Sequence, residues 1–208
     1  MERRKRARRT GDYRPKRDGR VVSAWLAGIA GLVMVAGLVF AVAQHPLVSA
    51  RSEVGLDVGA AVPALTLGST TGSRISLSAY KGKKVILFFY EGAGCGPCQE
   101  QLVELENTLT WIGSDGGEVL AASTDTPAVS MSLAKQLRLR FPILFDTEGR
   151  MGSAFGVFDL AGGMNMGAVD RHSIFVINTR GKVSWKRISL NQMHVPVVDV
   201  LSALKSAS

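Results

Sequence analysis

The chain reads as an α/β fold, a central mixed sheet flanked by helices, preceded by one N-terminal transmembrane helix. Three features of its 208 residues point there. The stretch from Val21 to Ala43 is 23 residues long, with no charge and no proline. After it, short apolar strand patterns alternate with amphipathic helix patterns. At one strand-to-helix junction sits Cys95-Gly96-Pro97-Cys98, which holds the only two cysteines of the chain.

Residues 1–20 carry ten Lys/Arg against three Asp/Glu, a balance of +7 out of the total +8. The folded remainder is close to neutral, which argues against a nucleic-acid partner. A helix over Val21–Ala43 runs about 34 Å, enough to cross a hydrocarbon core of about 30 Å. Trp25 near its start suits the interface, and the basic tail before it predicts a cytoplasmic N-terminus by the positive-inside rule. A cleaved signal peptide competes, because Val48-Ser49-Ala50 offers small residues for cleavage. Signal-peptide apolar regions run only about 7–15 residues, however, so the segment is read as an anchor. The expected organisation is a basic cytoplasmic tail (1–20), a single-pass membrane helix (21–43), a linker (44–57) and an extracytoplasmic domain (58–205).

Within that domain, Ala64–Leu67 and Arg74–Leu77 are short strands around a turn at Ser69–Ser73. Lys84–Tyr90 is a continuous apolar run bounded by Gly-containing turns, as expected of a strand buried on both faces. Gln99–Ile112 places Leu102, Leu105, Leu109 and Ile112 on one helical face, with Gly113 as a stop. Glu118–Ser123 is a second buried strand. Ala128–Leu139 is a helix that turns Val129, Leu133 and Leu137 inward. Pro142–Phe145 reads as a strand and Arg150–Phe155 as a short helix. Ser173–Asn178 and Lys182–Ile188 form a hairpin across Thr179-Arg180-Gly181, and Pro196–Lys205 closes as a helix.

Two thiols at Cys-x-x-Cys spacing can close and reopen a small disulfide ring, a two-electron redox switch. A cysteine at a helix N-terminus meets free N–H groups and the positive end of the helix dipole, which lower its pKa below the free value of about 8.5. Cys95 is therefore expected to be the exposed thiolate. Cys98, one turn in, is expected to be buried and to close the ring. Pro97 suits the first turn, where it gives up no hydrogen bond. A structural zinc site needs two more ligands, and His45, His172 and His194 are the only histidines; neither a metal nor another cofactor is expected. A purely structural disulfide at this spacing closes too short a loop to stabilise much.

Several stretches carry a family likeness: Val58-Gly59-Ala60-Ala61-Val62-Pro63, Leu77–Lys83 (LSAYKGK), Phe141–Val157 (FPILFDTEGRMGSAFGV), Ser173–Lys182 (SIFVINTRGK) and the CGPC tetrapeptide. Together they make residues 58–205 resemble the redoxin group of the thioredoxin superfamily. That group includes peroxiredoxin-like proteins of the alkyl-hydroperoxide-reductase/thiol-specific-antioxidant type and membrane-anchored thiol–disulfide oxidoreductases. The resemblance implies a thioredoxin-like fold with Cys95 and Cys98 as the catalytic pair. The chain departs from thioredoxins in having Gly94 where they place tryptophan and Phe89 where they place a buried acid. Glu91 is the nearest carboxylate; a proton relay to Cys98 is weighed there against a solvated loop acid, and the solvated acid is preferred. Counting back from Phe175 puts His172 where thioredoxins carry a cis-proline, so Arg171 and His172 are expected opposite the pair, as a cation able to lower a cysteine pKa.

Three functions follow. A thiol–disulfide oxidoreductase, with Cys95 attacking and Cys98 resolving, takes protein dithiols or disulfides as partners. A peroxidase takes a peroxide at Cys98, with Cys95 condensing onto the sulfenic acid. A copper chaperone resembling the Sco type would use both cysteines and His172 as soft ligands. The oxidoreductase is the leading expectation.

Overall fold

A computed structural model describes residues 54–164 and 166–208. The basic tail (1–20), the apolar span (21–43) and most of the linker lie outside the described residues. Among those described, no helix is long and apolar enough to cross a membrane.

The centre is β3 (Lys84–Phe89), whose KVILFF run has no solvent-facing side. Residue parity divides it between two cores. Ile86 and Phe88, with Tyr90 beyond the strand, face one side, whereas Val85, Leu87 and Phe89 face the other. Around it the sheet runs β5-β4-β3-β6-β7, where β4 is Gly117–Ser123, β5 Ile143–Phe145, β6 Ser173–Ile177 and β7 Val183–Ile188. β3, β4 and β5 are parallel; β6 is antiparallel to both β3 and β7, which makes the sheet mixed.

One face is covered by α1 (Gly96–Asn107), α2 (Leu109–Ser114), α3 (Pro127–Leu137) and α5 (Val197–Ser206), through Leu102, Leu105, Ile112, Leu133, Val200 and Leu204. The other is covered by α4 (Arg150–Ala154) and a 3-10 turn at Leu77–Tyr80, around a Phe89–Phe155–Phe175 ring cluster with centroids 4.9 to 5.9 Å apart. Such aromatic contacts add roughly 0.5–1.5 kcal/mol each beyond the area they bury. A hairpin of β1 (Thr66–Gly68) and β2 (Arg74–Ser76) bridges to β5 at Ser69↔Leu144. The chain at Gly59–Val62 lies along β7, so both sheet edges carry main-chain partners.

The thioredoxin-like α/β fold is therefore as expected, with differences in detail. The single helix expected over Gln99–Ile112 is two, because the Thr108 hydroxyl takes the carbonyls of Glu104 and Leu105 and breaks the ladder. Val129, expected inward, is 40% exposed: the inward face of α3 runs instead through Ser130 and Leu133, with Leu137 partly buried against the core.

Beneath α4, Asp146 accepts the N–H groups of Met151 (3.0 Å) and Gly152 (2.8 Å) and so caps the helix. Asp170 is fully buried beside it, and neither of its oxygens accepts a hydrogen bond, so it meets Asp146 as the protonated partner of the two carboxyls. A Cβ at Gly152 would stand 1.7 Å from Asp170 Oδ1, so the position admits only glycine. Burial first, and the neighbouring Asp146 charge second, push the Asp170 pKa from 3.8 up to about 8. The native state thus keeps a proton that the unfolded chain releases above about pH 4, and this group makes stability fall as pH rises between about 4 and about 8. Asp170→Asn removes that slope. Its melting temperature relative to the parent is expected to climb as pH is raised from about 5 to about 9; a difference that stays flat with pH refutes the assignment.

Candidate active site

The redox pair lies where β3 ends and α1 begins. Gly92 makes the turn at φ +128°, and the Ala93 N–H donates to Asp125 Oδ2 at 2.8 Å, which fixes the approach to the cysteines. Cys95 is the N-cap residue of α1, and its Sγ accepts the Cys98 N–H at 3.2 Å. Pro97 sits in the first turn, where its missing N–H leaves no bond unmade. The two sulfurs are joined in a disulfide with the Cα atoms 5.2 Å apart.

Cys95 is not the exposed sulfur that its place at the helix start suggests. Both cysteines are fully buried, and they belong to the same core cluster as Phe88 and Leu102. The Gly-rich loop, described at residues 160–164 and 166–167, folds against this region. Met166 packs against the cluster, its methyl 3.3 Å from where a Cβ on Gly94 would stand.

Arg171 holds the loop in place. Its Nε donates to the Leu160 carbonyl (2.7 Å), Nη1 to Met164 (3.2 Å) and Nη2 to Gly167 (3.4 Å). The same guanidinium pairs with Glu91 at 3.5 Å, where the side chains are 8% and 0% exposed. Glu91 also accepts the Met164 N–H at 2.9 Å, and Gly163 at φ +74° leaves room for it, since a Cβ there would meet Oε1 at 2.0 Å. Two expectations are corrected here. Glu91 is not a solvated loop acid, because the loop closes over it; burial pushes its pKa up, against the Met164 N–H and Arg171. Nor does Arg171 present a cation to the sulfurs: its charge is used up on Glu91 and three carbonyls.

His172 does face the pair. Its Nδ1 is 3.6 Å from Cys98 Sγ, its Nε2 is 3.4 Å from Gln101 Oε1, and its ring meets Phe88 edge-on at 4.8 Å. Full burial, with a smaller contribution from His194, lowers its pKa to about 4, so at neutral pH it is an uncharged imidazole and not the cation expected opposite the pair. Among the described residues, no group of three or more His, Cys, Asp or Glu side chains is arranged to hold a metal ion. What the arrangement can do is open and reclose one disulfide, with a neutral base against Cys98.

Sequence reasoning passed over Gln101, which is fully buried behind His172. The signal was available: it lies one turn after Cys98, a polar residue on a helical face otherwise occupied by Cys98, Leu102 and Leu105.

Comparison with known proteins agrees with this geometry. The family model described as AhpC/TSA matches residues 58–186, well over half of the chain. The chain is similar to the putative peroxiredoxin bcp of Haemophilus influenzae, 29% identical over 152 residues, 72% of this chain and 98% of that protein. It is also similar to the thiol-disulfide oxidoreductase ResA of Bacillus subtilis, 30% identical over 129 residues, 62% of this chain and 65% of that one. Among solved structures, the peroxidoxin BcpB of Mycobacterium tuberculosis superposes with a TM-score of 0.65 at 24% identity, covering 74% of this chain and 99% of that one, and shows the same fold. A thioredoxin-like sheet, a closed Cys-x-x-Cys ring at its helix junction and the family match together establish that the chain belongs to the AhpC/TSA family, an enzyme of the peroxiredoxin-like thiol oxidoreductase type.

Proposed function

We propose that this enzyme is a thiol–disulfide oxidoreductase in which Cys95 attacks and Cys98 resolves, carried outside the cytoplasm on a single-pass membrane anchor at residues 21–43. The observation that carries the redox assignment is the closed Cys95–Cys98 ring with Cys95 at the start of α1 and its Sγ accepting the Cys98 N–H. A thiolate at that atom accepts the Cys98 main-chain N–H and stands at the N-cap, at the positive end of the helix dipole, whereas Cys98 lies one turn in with no such donor on its sulfur. In the forward direction the Cys95 thiolate attacks a partner disulfide, one partner sulfur leaves as thiolate, and a mixed disulfide remains. Cys98 then displaces the second partner sulfur from Cys95; the partner is reduced by two electrons and the enzyme dithiol oxidised. The same steps reversed oxidise a partner dithiol.

The peroxidase is the second reading. The similarity to the putative peroxiredoxin bcp favours it, and a sulfenic acid on Cys98 condensing with Cys95 would leave the same ring with loss of water. Against it stands Arg171, whose guanidinium is turned to Glu91 and the covering loop. The basic tail and the uncharged span are the support for the anchor.

Four outcomes check this reading. In full-length protein, Cys98→Ser is expected to accumulate mixed disulfides through Cys95 with oxidised protein partners, seen on non-reducing gels. Fast consumption of hydrogen peroxide by Cys95→Ser, with a sulfenic acid on Cys98, overturns the oxidoreductase assignment. Since both sulfurs are buried, exchange requires the 160–167 loop to lift. Arg171→Met removes its three bonds and leaves Glu91 without its cation, so it is expected to lower stability by about 3–5 kcal/mol and to speed reduction by a small dithiol; an unchanged rate argues against the cover. In cells, the protein is expected in the alkali-resistant membrane fraction with its redox domain open to external protease. Release of the intact chain by alkaline carbonate excludes the anchor.

A further inference from the structure

A buried glutamine amide has two unlike ends, and the neighbours of Gln101 decide which faces where. Its Oε1 accepts the Val195 main-chain N–H at 2.7 Å, and its Nε2 donates to Glu104 Oε2 at 3.1 Å. Reversing the amide would set donor against donor at Val195 and acceptor against acceptor at Glu104. Glu104 is itself held by His194, whose Nε2 lies 3.0 Å from Oε2. With the amide so fixed, it is an acceptor that stands 3.4 Å from His172 Nε2. That nitrogen must then carry the proton. In a neutral imidazole the other nitrogen, Nδ1, is left with a bare lone pair, and Nδ1 is the atom 3.6 Å from Cys98 Sγ.

We propose that Gln101 is a positioning residue that locks His172 in its Nε2–H tautomer, making Nδ1 the base that takes the Cys98 proton during resolution. This rests on the oxidoreductase reading for its step, but not for its geometry. In the dithiol enzyme Cys98 donates its S–H to Nδ1, while an anionic sulfur there would face a lone pair, so Cys98 stays protonated and Cys95 ionises. As Cys98 Sγ attacks Cys95 Sγ in the mixed disulfide, the ring S–S bond forms and the bond from Cys95 to the partner sulfur breaks. The partner sulfur leaves with the electron pair, and the Cys98 proton passes by way of Nδ1 to that departing thiolate. No oxidant is needed beyond the partner disulfide already consumed.

The charged and titratable groups around His172 fit this role. Cys98 and, through Gln101, Glu104 approach it from α1, and His194 from the segment before α5. In its own segment, just before β6, Arg171 points away towards Glu91, and β3 contributes the Phe88 ring. The lowered pKa of about 4 keeps the imidazole neutral and able to accept through the physiological range.

The test labels the histidines of the full-length chain with nitrogen-15 and reads the His172 tautomer from two-bond proton–nitrogen correlations in the reduced state. The parent and Gln101→Glu, which retains an acceptor, are expected to show Nε2–H alone, and Gln101→Met a mixture. In a Cys95→Ser background, Gln101→Met is further expected to shift the Cys98 thiolate titration downward, because an Nδ1–H tautomer becomes available to the anion. Resolution of the mixed disulfide in Gln101→Met is expected to slow by at least about tenfold, below the usual 10²–10⁴ share of a positioned base because only its tautomer is loosened. An Nδ1–H tautomer in the parent overturns the proposal, and that measurement needs no variant to fold. A tautomer and Cys98 titration that do not change in Gln101→Met also overturn it. The expected tautomer in a protein that forms no mixed disulfide would sustain the positioning and overturn only the oxidoreductase reading.

Discussion

The ion pair between Arg171 and Glu91 ties the end of β3 to the loop that closes over the redox pair. Its location follows from the sheet. Phe89 pairs with Ser173 across β3 and β6, and continuing that antiparallel register by two residues sets Glu91 opposite Arg171. Removing both charges from water is costly, and a bare pair at 3.5 Å would not offset it. The remaining hydrogen bonds make the difference: Arg171 gives three to loop carbonyls, and Glu91 receives the Met164 N–H. A loop whose described residues form no helix or strand is thereby held by two side chains that lie just beyond the end of β3 and just before the start of β6.

The same register brings His172 into the site. Continuing the register by one residue beyond the Phe89–Ser173 pair sets it opposite Tyr90, two residues on from Phe88 and on the face where parity has already placed the cysteine cluster. Arg171 and His172, adjacent in sequence, consequently face opposite ways. One spends its charge on the cover, and the other, stripped of charge by burial, meets Cys98. The two cysteines differ by the same logic. Cys95 has a main-chain donor and the helix dipole, Cys98 an acceptor, so the pair is electrostatically unequal although the ring that joins them is symmetric.

Much of the fold was legible because its signals are local. The parity of KVILFF, the Leu102/Leu105/Ile112 stripe and the Gly-Pro turn between the cysteines each depend on spacing within a few residues, and the strands and helices formed where those patterns lie. What escaped depends on contacts between distant segments. Glu91 looked solvated because the loop that buries it lies some seventy residues on and has no periodicity to announce packing. Gln101 became meaningful only when Val195 and His172 met it from elsewhere in the chain. The charge of His172 could not be read either, since it is set by desolvation and not by neighbours in sequence.

A disulfide with no accessible surface is also insulated from the general thiol pool. Small thiols find no accessible sulfur in this state; under the loop opening proposed above, exchange proceeds through the fraction of molecules whose loop is raised, and the observed rate is the intrinsic rate multiplied by that fraction. A protein partner that binds the raised form shifts this population in its own favour, and a small thiol that touches nothing but sulfur does not. Selectivity in such an enzyme resides less in the sulfurs than in what can hold the loop aside.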